Sequence, residues 1–140
     1  MITAGLTNSF KEQLLKGVHD FTLDTFKIAL YTSSAQLGPD TPLYTSVDEV
    51  SGIGYTAGGN VLTGALVSLS LSQGIAYVTF DNPYWNAATF TTRGALIYNS
   101  TKGNKSVAVL NFGLDQTVLS QQFLIQLPAN NADTSFIRVD

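Results

Sequence analysis

Phe26 to Tyr31 reads F-K-I-A-L-Y, and the period of these six residues decides the fold. Phe26, Ile28 and Leu30 fall on one side and Lys27, Ala29 and Tyr31 on the other, the alternation of a half-buried strand. Upstream the period changes. Ser9 and Glu12 have the spacing of a capping box, Phe10, Leu14 and Val18 recur at helical intervals, and Gly17 supplies an end, which predicts one short helix at about residues 9–17. Downstream the strand pattern returns in Val61 to Leu71, Ile75 to Phe80, Ala95 to Tyr98, Val107 to Asn111, Phe123 to Leu127 and Phe136 to Val139. Turn signals separate these runs at Gly38-Pro39, Ser72 to Gly74, Asn82-Pro83 and Lys102 to Asn104. Seven or eight short strands spaced in this way predict an all-β fold, an antiparallel β-sandwich with one N-terminal helix. A jelly roll is the favoured topology and an immunoglobulin-like sandwich the second.

At 140 residues the chain has the size of one domain, and no linker, repeat or charge block divides residues 1–140. Hydrophobic residues make up 44% and charged residues only 12%, about half the usual charged share. A polar but ion-poor surface suits a protein covered by neighbouring subunits, because hydroxyls and amides that find partners lose less on desolvation than ions do. The net charge is −3, and Lys11, Lys16, Lys27, Arg93, Lys102, Lys105 and Arg138 are scattered. No basic stripe exists to displace counterions, so direct nucleic-acid binding is not expected. The absence of cysteine removes disulfides, thiolate metal sites and cysteine nucleophiles together. No apolar run reaches the 18 residues of a membrane-spanning helix, and the first ten residues lack a secretory pattern, so synthesis in the cytoplasm is expected.

The segment from Ser33 to Asn60 has only a weak strand signal, around Leu43 to Thr45, and loops of this length usually bind something or are ordered by a partner. It ends in V-S-G-I-G-Y-T-A-G-G-N-V-L, Val50 to Leu62. The spacing of Gly52, Gly54, Gly58 and Gly59 matches neither the dinucleotide fingerprint nor the phosphate loop, and a strand rather than a helix follows. These glycines are therefore read as positions of positive φ or close backbone approach, and with Tyr55 they form one candidate protein interface. The second candidate is Tyr84 and Trp85 in D-N-P-Y-W-N, Asp81 to Asn86, read as an aromatic turn able to anchor a protein contact or stack on a sugar. His19, the only histidine, follows the helix end and is read as structural, with no G-x-S-x-G elbow to make it catalytic. A lone imidazole with no thiolates and no D-x-D-x-D loop predicts no metal site, and no cofactor is expected. Asp48 and Glu49 form the one adjacent carboxylate pair. Neighbours on a strand point to opposite faces, so these two are read as a solvated loop or an intersubunit contact rather than a hydrolytic dyad.

Several segments together resemble a family of small virion structural proteins of tailed bacteriophages: N-S-F-K-E-Q-L-L-K-G at Asn8 to Gly17, D-T-F-K-I-A-L-Y-T-S-S at Asp24 to Ser34, and Y-T-S-V-D-E-V-S-G-I-G-Y-T-A-G-G-N at Tyr44 to Asn60. The likeness continues in A-L-I-Y-N at Ala95 to Asn99 and A-V-L-N-F-G at Ala108 to Gly113. Within that family the chain is most similar to the jelly-roll cement, or decoration, proteins of icosahedral capsids. The resemblance implies a non-enzymatic protein on the outer capsid surface that binds the major capsid protein, bridges its neighbouring subunits and forms a homo-oligomer, with a dimer favoured over a trimer. A tail or fibre component, or a carbohydrate-binding sandwich using Tyr84 and Trp85, is the alternative.

Overall fold

The computed structural model describes residues 1–128, 131 and 133–139. In chain order the elements are β1 (Gly5–Leu6), α1 (Asn8–Leu15), β2 (Phe26–Tyr31), β3 (Asn60–Val61), β4 (Leu66–Ser70), β5 (Ile75–Thr79), β6 (Tyr84–Asn99), β7 (Lys105–Leu124) and β8 (Ile137–Val139). They form an all-β protein of two antiparallel sheets with one short helix. The larger sheet has the order β1-β7-β6-β2-β3 and the smaller the order β4-β5-β8.

The alternation of β2 is obeyed, but both of its faces are buried. Phe26, Ile28 and Leu30 join Ala95, Ile97 and Val107 of the larger sheet, Val78 and Ile137 of the smaller, Phe80 just after β5, and Phe10 of α1 in one apolar cluster. Ala29 and Tyr31 point the other way, into a second cluster with Leu96, Tyr98 and Val109 that is closed by Ile2, Ala35 and Leu37. The expected half-buried strand is thus overturned, because the segment from Ser33 onward lies across its far face.

The helix starts earlier than its capping-box pattern predicts. Thr7 is the N-cap, and its Oγ1 accepts the Phe10 N–H at 3.4 Å. The Thr7 N–H is held by Val107 O at 3.0 Å, so the chain passes from β1 directly into the helix, and Glu12 pairs with Lys16 rather than capping. At the other end Gly17 adopts φ +70, as its place in the sequence suggests.

The long strands were the least legible. Ala95 to Tyr98 and Val107 to Asn111 are only the root of a hairpin in which β6 runs 16 residues and β7 runs 20. Its outer half pairs Tyr84 with Leu124 and Thr92 with Gln116 through polar sequence, with register shifts that include one between Thr92 and Gly94. Val61 to Leu71 splits into β3 and β4, and strand pairing ends at Leu124 rather than Leu127.

Candidate functional site

The glycine-rich stretch is folded onto its own chain. Gly59 has φ +77, and a Cβ there would lie 1.8 Å from Ile28 O of β2. Similarly placed Cβ atoms would lie 2.5 Å from Thr89 O at Gly52 and 2.9 Å from the Ala88 Cα at Gly54, both on β6. An isolated bridge between Ile53 and Thr89 fixes the same contact. Gly58 is buried, whereas Gly52 and Gly54 keep their other side toward solvent. The close approach expected of these glycines exists, and the backbone they approach is the protein's own.

Glu49 is the centre of this packing. Its Oε1 accepts from Tyr44 OH at 2.7 Å, and its Oε2 accepts from Tyr55 OH and from the Gly58 N–H, the latter at 2.8 Å. Tyr55 Oη in turn accepts the Leu30 N–H at 2.9 Å, and Tyr98 OH donates to Gly58 O at 2.6 Å. Tyr31 OH donates to Thr45 O at 2.6 Å, and the rings of Tyr44 and Tyr98 stack at 4.8 Å. Burial first, and then the hydrogen bond to Glu49, raise the Tyr44 and Tyr55 hydroxyls well above the ordinary phenol range. Burial and the Glu49 charge raise Tyr31 as well and push Tyr98 up to about 12. All four therefore remain neutral donors at neutral pH. Of the pair expected in a solvated loop or an intersubunit contact, Glu49 is half-buried, while Asp48 beside it is exposed with φ 60. The signal available was a carboxylate pair followed by 31 residues, Val50 to Phe80, without a charge.

The aromatic pair divides. Tyr84 opens β6 rather than sitting within a turn, so the two rings point to opposite faces. Trp85 is 3% exposed, packed 5.9 Å from Phe123 and 6.3 Å from Tyr55, whereas Tyr84 is 52% exposed. Tyr84 borders a cleft of about 300 Å³ whose other walls include Asn60, Val61, Asp81 and Asn82. Asn60 Nδ2 donates to Tyr84 O at 2.7 Å, and Asn82 Oδ1 accepts the Leu127 N–H at 2.8 Å, which fixes both amides on the rim.

His19 bonds to side chains rather than to the helix-end carbonyls. Its Nε2–H donates to Gln13 Oε1 at 2.8 Å, and its Nδ1 accepts from Asn99 Nδ2 at 3.0 Å. Burial holds its pKa below the usual imidazole value, although Asp24 pulls it upward. Asp24 also accepts from Asn99 at 2.8 Å and from Lys102 at 3.0 Å. Burial raises the Asp24 pKa, and these bonds, with one from the Asp20 N–H, outweigh it to leave the group low. Both imidazole nitrogens are thus occupied in a satisfied structural network. Among the described residues no cluster of three or more His, Asp or Glu is placed to hold a metal ion, and no helix is long and apolar enough to cross a membrane.

Exposed aliphatic side chains also line two strand edges. Leu114, Leu119 and Leu124 are exposed on the outer half of β7, and Leu66, Val67, Leu69 and Leu71 are exposed along and just beyond β4. Among the described residues neither β4 nor β7 beyond Val109 has a strand on its outer side. A scan against protein-family models finds no match to this chain, and neither do searches of the curated proteins and the solved structures.

Proposed function

We propose that the protein is a non-enzymatic capsid cement protein of a tailed bacteriophage, a jelly-roll sandwich that binds the outer surface of the major capsid protein lattice and bridges neighbouring subunits. The sequence resemblance supplies the virion setting. The observation that carries the interaction role is the outer half of the β6–β7 hairpin, whose free edge presents Leu114, Leu119 and Leu124 to solvent. Exposed leucines along a projecting arm suit a lateral contact with a neighbouring protein. One such contact of about 800 Å² per partner binds modestly, but spanning two or three capsid subunits at once adds roughly 10²- to 10⁴-fold in avidity. Each copy then has to be released from several subunits before they separate.

The test is reconstitution. Purified protein added to capsids stripped of it rebinds and raises the temperature at which they release DNA, and Leu119→Lys on the arm abolishes both effects while the isolated variant melts like the parent. Capsids equally robust with and without the protein overturn the reading. A copy number near that of the capsid subunit supports shell-wide decoration, whereas a few to a dozen copies moves the protein to a neck or tail.

Tyr84 favours a second reading, a saccharide-binding module, because its open ring and the neighbouring Asn60, Asp81 and Asn82 combine a stacking face with polar groups on one rim. Saturable glycan binding lost in Tyr84→Ala would support it. Trp85, being buried, is not available for that contact.

A further inference from the structure

Exposed strand edges in β proteins are normally blunted by charge, proline, a bulge or a cover, because each unpaired edge is a template for another strand. Among the described residues the edge of β4 has none of these. Its five residues, L-V-S-L-S, lie within the charge-free stretch from Val50 to Phe80. They pair with β5 without a register shift, from Leu66 with Thr79 to Ser70 with Ile75. Leu69 is 61% exposed, Leu71 is 86% exposed, and Leu66 and Val67 are each 49% exposed. The other edges are less suitable. β1 and β3 have two residues each, and β8 has three, including Arg138. The outer half of β7 is interrupted by Gly113 at φ +80 and Ser120 at φ +51 and carries Asp115.

We infer that two copies of this chain pair antiparallel through their β4 edges, joining two three-stranded sheets into one six-stranded sheet across a two-fold axis. The sequence of the edge is complementary to itself. With Leu69 opposite Leu69, Ser68 meets Ser70 on one face and Val67 meets Leu71, just beyond the strand, on the other, so apolar faces apolar and hydroxyl faces hydroxyl at the centre of the seam, and only its ends bring Leu66 against Ser72. Charge agrees, since each copy carries −3 overall yet brings no charged residue to the seam. Area sets the strength. The exposed surface of four side chains falls short of the about 800 Å² that each partner buries in a stable interface. The backbone edge and the turn after Leu71 add to it, which leads to a dimer that dissociates at micromolar concentration. An apolar cleft between α1 and the inner face of the smaller sheet, bordered by Leu14, Val67 and Val139, lies beside the seam and continues its apolar surface.

The resemblance implies a dimer without saying where it forms; this inference assigns the seam, and it is argued from the β4 edge alone. Sedimentation of the full chain across about 1 to 200 μM shows a monomer–dimer equilibrium, and Leu69→Lys weakens it by about 100-fold or more by placing like charges opposite each other. Because Leu69 faces solvent, the variant keeps the parent melting temperature. The chain has no cysteine, so Leu69→Cys introduces a single thiol; mild oxidation links it into a covalent dimer, while Thr117→Cys on the β6–β7 arm stays monomeric. A wild type that remains monomeric throughout, or a dimer untouched by Leu69→Lys, overturns the inference. A monomer that still rebinds stripped capsids would overturn the seam alone, and a dimer that fails to rebind would overturn the cement role alone.

Discussion

The irregular segment Ser33 to Asn60 and the hairpin β4–β5 reverse the usual relation between regular structure and completeness. The segment contains almost no secondary structure, yet its polar groups are satisfied inside the molecule: Glu49 receives three hydrogen bonds, Tyr31 and Tyr98 bond backbone carbonyls, and Val50 N–H reaches Leu30 O at 2.9 Å. The hairpin is regular in every register position, yet it leaves one backbone edge and four aliphatic side chains in water. Regularity on one side of a strand says nothing about the other side, whereas a loop in contact with a sheet must have its groups matched one by one. The groups of the segment that face the sheet are therefore closed by the protein's own tyrosines, while Val47 and Ile53 on its outer side stay exposed.

The same substitution separates the two regions most sharply. Gly59→Ala combines a left-handed φ of +77 with a Cβ placed 1.8 Å from Ile28 O, and neither the carbonyl nor β2 can retreat without disturbing the core. The expected destabilisation is about 2–5 kcal/mol, the sum of backbone strain and overpacking. Gly74 in the hairpin turn has a similar φ of +67 but open space around it, so Gly74→Ala brings only the strain of about 1–2 kcal/mol. Chemical denaturation of the two variants checks the order. Equal losses would mean that the glycine segment is not clamped against β2.

Glu49 comes next. Glu49→Ala leaves the hydroxyls of Tyr44 and Tyr55 and the Gly58 N–H without their acceptor, at a cost of about 2–4 kcal/mol, moderated because water reaches a half-buried site. Glu49→Gln keeps the shape and one acceptor and loses about half as much. Hydrogen exchange then localises the damage: protection at Gly58 and Val50 falls in both variants, while the amides of β5 keep theirs. Simultaneous loss in both regions would show that the segment and the hairpin unfold as one unit.

How much of this was legible in the sequence depends on whether the deciding contacts were local. The alternation of β2, the end of α1 at Gly17 and the close backbone approach of Gly52, Gly54 and Gly59 all follow from residues close in sequence, and each is reflected in the structure. The burial of the second face of β2 does not follow, because Leu37 and Tyr44 cover it from a segment with no period of its own. The lengths of β6 and β7 were hidden for another reason. Their outer halves have one polar face and several register shifts, so T-F-T-T and D-Q-T-V-L-S-Q-Q lack the apolar alternation that marks a strand. Tyr84 and Trp85 looked alike as neighbours. Only the start of β6 at Tyr84 decides which ring is inside.

The smallest effect is absent at neutral pH and emerges only in alkali. Tyr31, Tyr44, Tyr55 and Tyr98 have folded-state pKa values raised above the unfolded value of about 10, Tyr98 to about 12. A group whose pKa is higher in the folded state holds its proton there while the unfolded chain releases it. The stabilisation is therefore complete below about pH 10 and declines as pH rises from there through the folded values. The protein should keep a constant melting temperature from about pH 7 to 9.5 and lose it steeply above pH 10.5. Tyr55→Phe removes one of the four groups, together with its bonds to Glu49 and the Leu30 N–H, so its melting temperature is lower at pH 7 but falls less steeply above pH 10.5. Identical slopes for the variant and its parent would show that Tyr55 ionises without opening the segment, and that the polar hub is less closed than its hydrogen bonds indicate.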